Sequence, residues 1–244
     1  MVHNILCIDV GLLNLAFCGV SIDISKEFPV NINIWKTINT LGTEKSTCSG
    51  VLKNGNCCIK LANYICREKE YCKLHVPDKS NFKIIKHKKC NNFTLQEIAL
   101  NVIGCIDNLY NENKEIFNTL DKVLIELQPR VNNKMKFVSH IIFGKFSELL
   151  KDKISIIRFV AAKNKLKNFQ GPIFQSDVKS KYSQRKKASV YYCKWYLDNY
   201  FIDTEKQFWL DYLEENKKAD DLADTFNMCI QEYNIVFKKK VSKK

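Results

Sequence analysis

Apolar residues are grouped in short blocks along the first 36 residues of the chain. Residues 4–23 hold two such blocks separated by a turn at 11–14, and a third block follows at 30–36. Apolar blocks joined by short turn-like links predict three antiparallel strands at the start of a sheet.

Apolar spacing typical of helices begins at Thr94, behind a capping box formed by Thr94 and Glu97. A basic linker at 161–184 interrupts the pattern before the last two helices. The order after the first three strands is helix, strand, helix, strand, helix, helix, at residues 94–109, 122–127, 135–150, 154–160, 185–200 and 219–237. This order predicts an α/β domain with a mixed sheet.

The segment between the third strand and the first helix has a different character. Residues 41–91 are polar, rich in lysine and poor in apolar periodicity, and they contain six of the eleven cysteines. We interpret them as an insertion into one α/β domain made of residues 1–40 and 92–237. A basic tail, residues 238–244, completes the chain.

The chain is strongly basic, with 39 Lys and Arg against 26 Asp and Glu and a formal net charge of +13. A soluble basic domain most often binds nucleic acid. The chain has neither a long apolar segment nor a signal peptide, which predicts a soluble intracellular protein. In a reducing compartment, its cysteines are expected to bind metal or to be buried rather than to form disulfides.

Two acidic residues stand alone inside apolar strands. Asp9 lies in Ile5–Val10 and Glu126 in Val123–Leu127, and both strands are otherwise apolar. An ionised carboxylate in such a position is unfavourable unless it is paired or coordinates a metal. The alternative is that each residue turns to solvent at a strand end, which is harder to accept for both together.

The last predicted helix adds two more carboxylates. Asp221 and Asp224 are three residues apart, so their side chains project from one helix face. Helix capping is an alternative for Asp220, but it does not explain Asp224. Clustered carboxylates in a basic protein favour Mg²⁺ or Mn²⁺, and two such ions can hydrolyse a phosphodiester.

These acidic motifs resemble those of the RuvC family of Holliday junction resolvases, in the ribonuclease H-like superfamily. The similar segments are Ile8-Asp9-Val10-Gly11, Ile125-Glu126-Leu127-Gln128-Pro129 and Asp221-Leu222-Ala223-Asp224. A Gln-Pro pair after the glutamate and a basic helix before the last aspartates are typical of the branch found in poxviruses, other large DNA viruses and fungal mitochondria. The resemblance covers most of the chain outside the insertion.

The resemblance implies a ribonuclease H-like fold and an endonuclease that resolves four-way DNA junctions with two Mg²⁺ or Mn²⁺ ions. It implies that the metal ligands are Asp9, Glu126, Asp221 and Asp224, with the choice between Asp220 and Asp221 left open. It also implies that Lys186 or Lys187 contacts the scissile phosphate, with Lys187 taken as the catalytic candidate. The residues expected to bind DNA are Arg130, Lys134, Arg185, Lys186 and Lys187.

The cysteine-rich insertion has the spacing of a structural zinc site. The best set consists of two knuckle-like pairs that can hold one Zn²⁺ tetrahedrally, namely Cys48, Cys57, Cys72 and His75. Zinc binding would order a lysine-rich segment that has few apolar residues. Alternative ligands are Cys58, Cys66, Cys90 and His87, and the alternative to zinc is a loop of free thiols.

Two other functions fit the same residues. One is a different ribonuclease H-like nuclease, acting on RNA–DNA hybrids or flaps, and the other is a noncatalytic zinc-containing nucleic-acid-binding protein. Paired nicks in a junction would require a homodimer, and the helix at 135–150 is either its interface or packs inside the domain. The expected partner is branched double-stranded DNA, with neither a membrane nor a small-molecule substrate. A viral relative would act at the viral replication site in the host cytoplasm.

Overall fold

The computed structural model describes residues 2–27, 29–42, 46–85, 90–129, 131–153, 156–162, 165–166, 169–176, 178 and 180–241, with their side chains except those of residues 91 and 236–241. Two compact units are present: Met1–Thr40 with Leu95–Lys244, here the sheet unit, and Leu41–Thr94, here the insertion unit. The elements in chain order are β1 (Val2–Val10), β2 (Asn14–Asp23), β3 (Val30–Asn39), β4 (Tyr64–Cys66), β5 (Lys69–Tyr71), β6 (Lys83–Ile84), α1 (Leu95–Glu112), α2 (Lys114–Asn118), β7 (Lys122–Leu127), α3 (Asn133–Leu149), β8 (Ile156–Ala161), α4 (Lys181–Tyr200), α5 (Asp203–Glu215) and α6 (Ala219–Val241).

The sheet unit is built on a mixed sheet with the strand order β3-β2-β1-β7-β8. β1, β2 and β3 form the predicted antiparallel meander, and β7 and β8 run parallel to β1. The predicted α/β class with a mixed sheet is therefore confirmed. β1 and β7 are inner strands of this sheet and are covered on both faces. This explains why their sequences are almost continuously apolar.

Helices cover both faces of this sheet. α3 packs against β7 and β8 on one face, with α1 packed on α3, whereas α6 packs against β1 and β2 on the other face with α4 alongside it. The core beneath α4 and α6 includes Ile5, Cys7 and Leu124. Side chains alternate along a strand, so Asp9 and Glu126 project toward the same helices as these three residues.

Two helices, the short α2 and the longer α5, were not predicted from the sequence. α5 lies between the last two predicted helices, and its aromatic residues pack around Trp35 of β3. Trp209 and Tyr212 approach Trp35 at ring centroid distances of 5.7 and 5.9 Å, and the Tyr212 hydroxyl donates to the Trp35 carbonyl at 2.7 Å. The last helix also reaches Val241, beyond its expected end at Phe237, so the basic tail is partly helical up to that point. Residues 242–244 of the predicted tail lie outside the described residues.

The insertion unit holds the small antiparallel sheet β5-β4-β6. A second antiparallel pairing joins residues 46–52 to 56–62, through Thr47 with Leu61 and Val51 with Cys57.

Throughout the described part of the chain, none of the helices has the length and apolar character needed to cross a bilayer.

Candidate active site and a second candidate metal centre

Asp9 and Glu126 meet at the ends of two neighbouring parallel strands. Ile8 of β1 pairs with Ile125 of β7, so the residue after each lies at the same level of the sheet. Their side chains are largely buried, with exposed fractions of 16% and 13%. Gln128 donates from its Nε2 to Glu126 Oε2 at 3.1 Å and so orients that carboxylate.

The first two turns of α6 bring Asp221 and Asp224 to the same place. Leu222 and Ala223 between them are fully buried in the core, and Trp35 donates to the Leu222 carbonyl at 2.9 Å. This packing fixes the rotation of α6 about its axis. Asp221 and Asp224 therefore face Asp9 and Glu126, on the helix face that the three-residue spacing predicts.

Ser189 of α4 holds Asp224 in position. The Ser189 hydroxyl donates to Asp224 Oδ1 at 2.5 Å, and Asn227 Nδ2 donates to the Ser189 carbonyl and hydroxyl oxygens, each at 2.9 Å. Both Ser189 and Asn227 are buried. A serine on the predicted basic helix gave no signal in the sequence, because only the packing of α4 on α6 shows its role.

Lys165 lies among the carboxylates. Its ammonium nitrogen is 3.0 Å from Asp9 Oδ1, 2.9 Å from Glu126 Oε1 and 2.9 Å from Asp224 Oδ2, and its side chain is 5% exposed. Sequence reasoning placed this residue in a basic linker. Lys165 was missed because it lies outside the strands and helices. A buried residue in such a segment leaves no periodic pattern in the sequence.

Crowding shifts the pKa values of the acidic residues. Burial, helped by a hydrogen bond with Glu126, raises the pKa of Asp9 to about 7 against the opposing effect of Lys165. Burial and then repulsion from Asp220 and Asp9 raise the pKa of Asp221 to about 6. Burial also raises the pKa of Asp224. This group of carboxylates therefore lacks enough positive charge for all of its members to ionise easily.

Glu126 behaves in the opposite way. Burial alone would raise its pKa, but the hydrogen bond with Asp9 and the charge of Lys165 outweigh burial and lower it. In the absence of a metal ion, Asp9 and Glu126 therefore act as a coupled pair in which Asp9 retains the proton.

Asp220 and Asp221 have different partners. Asp220 forms an ion pair with Lys186, and although burial opposes it, this contact lowers the pKa of Asp220. Within the described part of the chain, the ion pair of Asp221 is a longer contact of 3.8 Å with Lys218. Asp220 is thus already neutralised within the protein, and Asp221 is the more available carboxylate.

The carboxylates lie in a cleft of about 1010 Å³ that belongs to the sheet unit. Basic residues line it, and among those predicted to bind DNA they include Arg185 and Lys186. Lys187 is exposed and, like Lys134, is not among the described residues that line the cleft. The catalytic prediction for Lys187 thus gains no support from its position, and Arg130 lies outside the described residues.

A second cluster of metal-binding groups lies in the insertion unit. The ligand atoms of Cys48, Cys58, Cys72 and His75 all lie within 4.8 Å of one another. Cys57 is exposed and lies outside this group, which corrects the predicted set at one position. The physical reason is strand alternation: residues 57 and 58 point to opposite faces of the pairing between 46–52 and 56–62, and Cys58 is on the face of Cys48.

Backbone amides and the histidine ring contact the sulfur atoms of this cluster. The Gly50 amide donates to Cys48 Sγ at 3.3 Å, and the His75 Nδ1 atom lies 3.4 Å from Cys48 Sγ and 3.5 Å from Cys72 Sγ. Burial raises the pKa of Cys72, but the Leu74 amide and other contacts outweigh it, so this pKa is lowered. Of the alternative ligands, Cys66 and Cys90 are not in the group, and His87 lies outside the described residues.

Comparison with known proteins gives one family and several similar chains. Residues 66–236 match the family described as Poxvirus A22 protein. The uncharacterised protein L451 of Acanthamoeba polyphaga mimivirus is 24% identical, over 89% of this chain and 71% of its own length. RuvC of T. thermophilus in complex with a Holliday junction substrate has a TM-score of 0.45 at 7% identity, covering 95% of this chain and 92% of that chain. T. thermophilus RuvC in a separate structure has a TM-score of 0.43 at 8% identity, covering 93% and 92%.

Proposed function

The chain belongs to the Poxvirus A22 protein family, and on this basis we propose that it is a Mg²⁺-dependent endonuclease that resolves four-way DNA junctions. The observation that carries the proposal is the convergence of Asp9, Glu126, Asp221 and Asp224, from β1, β7 and α6, on the floor of one cleft. A net charge of +13 on the whole chain is suited to a polyanionic substrate.

The four carboxylates fit a divalent metal ion. Their oxygen atoms are the ligands that Mg²⁺ and Mn²⁺ prefer, and the raised pKa values of Asp9, Asp221 and Asp224 indicate a group that additional positive charge would stabilise. We propose that these four residues hold two such ions. Bound there, the ions would activate water and stabilise the leaving oxygen of a phosphodiester.

Basic residues of the cleft are proposed to position the DNA backbone. Lys186 is held beside the site by Asp220 and by the ring of Tyr182, whose centroid is 5.1 Å from the ammonium. Arg185 and Lys218 line the same cleft. We propose that these three basic residues bind phosphates next to the cut, and that Arg130, Lys134 and Lys187 extend the path. Phosphate contacts of this kind fix register without reading sequence.

A homodimer is proposed because resolution of a junction requires two nicks. In the sheet unit, Val138, Ile142 and Phe146 of α3 are fully buried, so packing inside the unit accounts for the most apolar face of this helix. The interface therefore has to use other residues. Sedimentation equilibrium of the purified chain would measure the state, and a monomer at micromolar concentration would argue against the dimer.

One structural Zn²⁺ is proposed for the cluster of Cys48, Cys58, Cys72 and His75, which has the donor set of a tetrahedral zinc site. None of the eleven cysteines is in a disulfide, so the three of the cluster are available as ligands. Elemental analysis of protein purified without added metal is expected to give about one equivalent of zinc. Less than roughly a tenth of an equivalent would rule the site out.

Cleavage of a mobile four-way junction, with and without Mg²⁺, tests the main proposal. We expect Mg²⁺-dependent paired nicks, and we expect Asp9→Asn and Glu126→Gln each to be slower by about a hundredfold or more, because each removes a metal ligand. Asp203→Asn, at a side chain that is 96% exposed, is the matched control. Preferential cutting of an RNA–DNA hybrid or a flap would indicate another nuclease, and binding without any cutting would indicate a noncatalytic protein.

A further inference from the structure

The three contacts of Lys165 have a consequence for metal binding. An ammonium group has three N–H donors, and here each of them has a carboxylate oxygen within 3.0 Å, from Asp9, Glu126 and Asp224. The side chain is almost completely buried, so water does not replace these partners. We propose that Lys165 is a built-in competitor of the divalent metal, and that metal binding requires its ammonium to leave the carboxylates. This inference rests on the metal site of the proposed function.

Simple electrostatics supports the competition. A divalent ion bound to the oxygens of Asp9, Glu126 or Asp224 would stand within a few ångströms of the ammonium, and like charges at such distances repel strongly in a partly buried site. The ammonium and the metal therefore exclude each other from this position. Lys165 keeps the carboxylates together without metal, at the expense of metal affinity.

Metal titration of a lysine variant tests the competition. Lys165→Met keeps the unbranched shape of the side chain, one atom shorter, and removes its charge, so we expect Mn²⁺, measured by electron paramagnetic resonance, to bind at least about tenfold more tightly than to the unsubstituted protein. Lys165→Arg retains the charge and is expected to keep the weak binding. Lys206→Met removes a half-buried lysine of α5 that pairs with Asp203 rather than with the carboxylates of the cleft, and it is expected to leave Mn²⁺ affinity unchanged.

Two outcomes separate the competition from the metal site itself. Equal or weaker Mn²⁺ binding by a folded Lys165→Met variant would overturn the competition. If Asp9→Asn binds Mn²⁺ as well as the unsubstituted protein, the proposed metal site fails instead. Should Lys165→Met not fold without metal, the comparison of Lys165→Arg with Lys165→Gln at the same Mn²⁺ concentrations replaces it, and equal affinities would overturn the proposal.

A different observation concerns the outer face of the insertion unit. In the pairing of 46–52 with 56–62, Cys48 and Cys58 point inward, so alternation places Val51, Cys57 and Ile59 on the opposite face. Val51 is 58% and Ile59 87% exposed. The face of this pairing that points away from the cysteine and histidine cluster therefore carries uncharged side chains.

Exposed lysines are next to the exposed apolar residues of this pairing and its surroundings in the sequence. Lys53, Lys60 and Lys73 are exposed and adjoin Leu52, Ile59 and Leu74, which are themselves exposed apolar residues. The described residues 46–85 contain seven Lys and Arg against three Asp and Glu. Apolar side chains that can insert between bases, together with basic residues that bind phosphates, are the combination by which proteins bind distorted DNA.

From this combination we infer that the insertion unit is a second DNA-binding surface, with Val51 and Ile59 contacting bases where stacking is interrupted at a branch point. The occupant is therefore branched DNA, the substrate class of the proposed function on which this inference rests. An intact duplex offers phosphates to the lysines but no open base step to the apolar residues.

Binding by full-length protein tests this surface. In an Asp9→Asn background that prevents cutting, we expect Val51→Ser with Ile59→Ser to raise the Kd for a four-way junction about fivefold while leaving the Kd for a duplex within about twofold. The double variant Lys60→Gln with Lys73→Gln is expected to raise the Kd for the junction and for the duplex. It should also reduce the slope of log Kd against log salt concentration by the equivalent of about two phosphate contacts. Leu100→Ser with Ile202→Ser, at exposed apolar sites of the sheet unit, is the control.

The outcomes are distinguishable. Unchanged junction binding by the zinc-replete Val51 and Ile59 variant would overturn the second surface, as would an equal loss for junction and duplex. Binding of the Asp9→Asn parent to anionic vesicles rather than to DNA would also overturn the second surface. If the Asp9→Asn parent itself does not prefer the junction to the duplex, the proposed function fails first.

Discussion

The two candidate metal centres of this chain differ in what surrounds them. The carboxylates of the sheet unit stand at the edge of a large core that includes Phe226, Leu197 and Leu222, and a lysine of the protein already lies among them. In the insertion unit, Cys48, Cys58 and Cys72 are themselves the centre of the buried cluster, with Tyr71 packed against them.

This difference predicts different uses of metal. The sheet unit has a large apolar core, so we expect it to fold without an ion and to need its proposed metal for chemistry. The insertion unit has little core apart from the proposed ligands, so we expect its metal to supply folding free energy. Substitutions at the first centre should therefore remove activity and spare structure, and those at the second should do the reverse.

The largest expected effect separates two adjacent aspartates of the first centre. Asp221→Asn is expected to slow junction cleavage about a hundredfold or more, because it removes a proposed metal ligand. Asp220→Asn loses only the partner of Lys186 and is expected to slow cleavage less than about tenfold. Far-UV circular dichroism of both should match that of the unsubstituted protein. Reversed rates would assign the ligand role to Asp220.

At the second centre, two adjacent cysteines give the next effect. Cys58→Ser is expected to reduce bound zinc from about one equivalent to roughly a tenth, and to make the insertion unit sensitive to proteolysis. Cys57→Ser, on the exposed face, is expected to keep both the metal and the protection. Inductively coupled plasma spectrometry with limited trypsin digestion measures both. Zinc loss from Cys57→Ser alone would restore the set expected from the sequence.

The sequence was most informative where one residue contradicts its surroundings. Asp9 and Glu126 are acidic residues in apolar strands, and the structure brings them together as the strand register requires. The Gln-Pro pair after Glu126 and the basic helix before the last aspartates resembled the poxvirus branch, which the family match confirms. Such signals are local, because burial on both faces of a central strand is visible in its own residues.

What could not be predicted depends on contacts distant in sequence. Lys165 becomes part of the site through partners 156, 39 and 59 residues away in the chain, and the linker around it has no periodicity. Cys58 and Cys57 have the same residue type, so the choice between them follows from the pairing of 46–52 with 56–62. The helix α5 is determined by its packing on Trp35, which lies in β3.

A smaller effect is expected for the pH dependence of metal binding at the first centre. Because burial raises the pKa of Asp9 to about 7, its carboxylate is mostly protonated at pH 6 and mostly ionised at pH 8. Metal affinity is therefore expected to rise about tenfold over this interval, as Mn²⁺ titrations at the two pH values would show. The raised folded-state pKa also means that the metal-free sheet unit loses stability as pH rises from about 4 through 7. A flat affinity profile would contradict the burial of Asp9.

The smallest expected effect concerns Gly50 in the insertion unit. Of the three glycines in this unit, it is the one at which an added Cβ atom would meet another residue. A Cβ atom on Gly50 would lie 2.5 Å from the Cβ and Cγ atoms of His75 and 2.7 Å from its Nδ1. Gly50→Ala must therefore displace the histidine ring, which should cost about 1 kcal/mol, or roughly fivefold in zinc affinity. Competition with a chelator of known affinity measures this change.

A control of the same chemistry decides whether the effect is steric. A Cβ atom on Gly104, in α1 of the sheet unit, would meet nothing within 4 Å, so Gly104→Ala is expected to leave zinc affinity unchanged. In a helix this substitution should slightly stabilise the sheet unit. Junction cleavage by Gly50→Ala is expected to stay within about twofold when zinc is in excess, because the site then refills by mass action. If Gly50→Ala retains full zinc affinity, His75 does not approach the metal from the side of Gly50, and the ligand arrangement has to be redrawn.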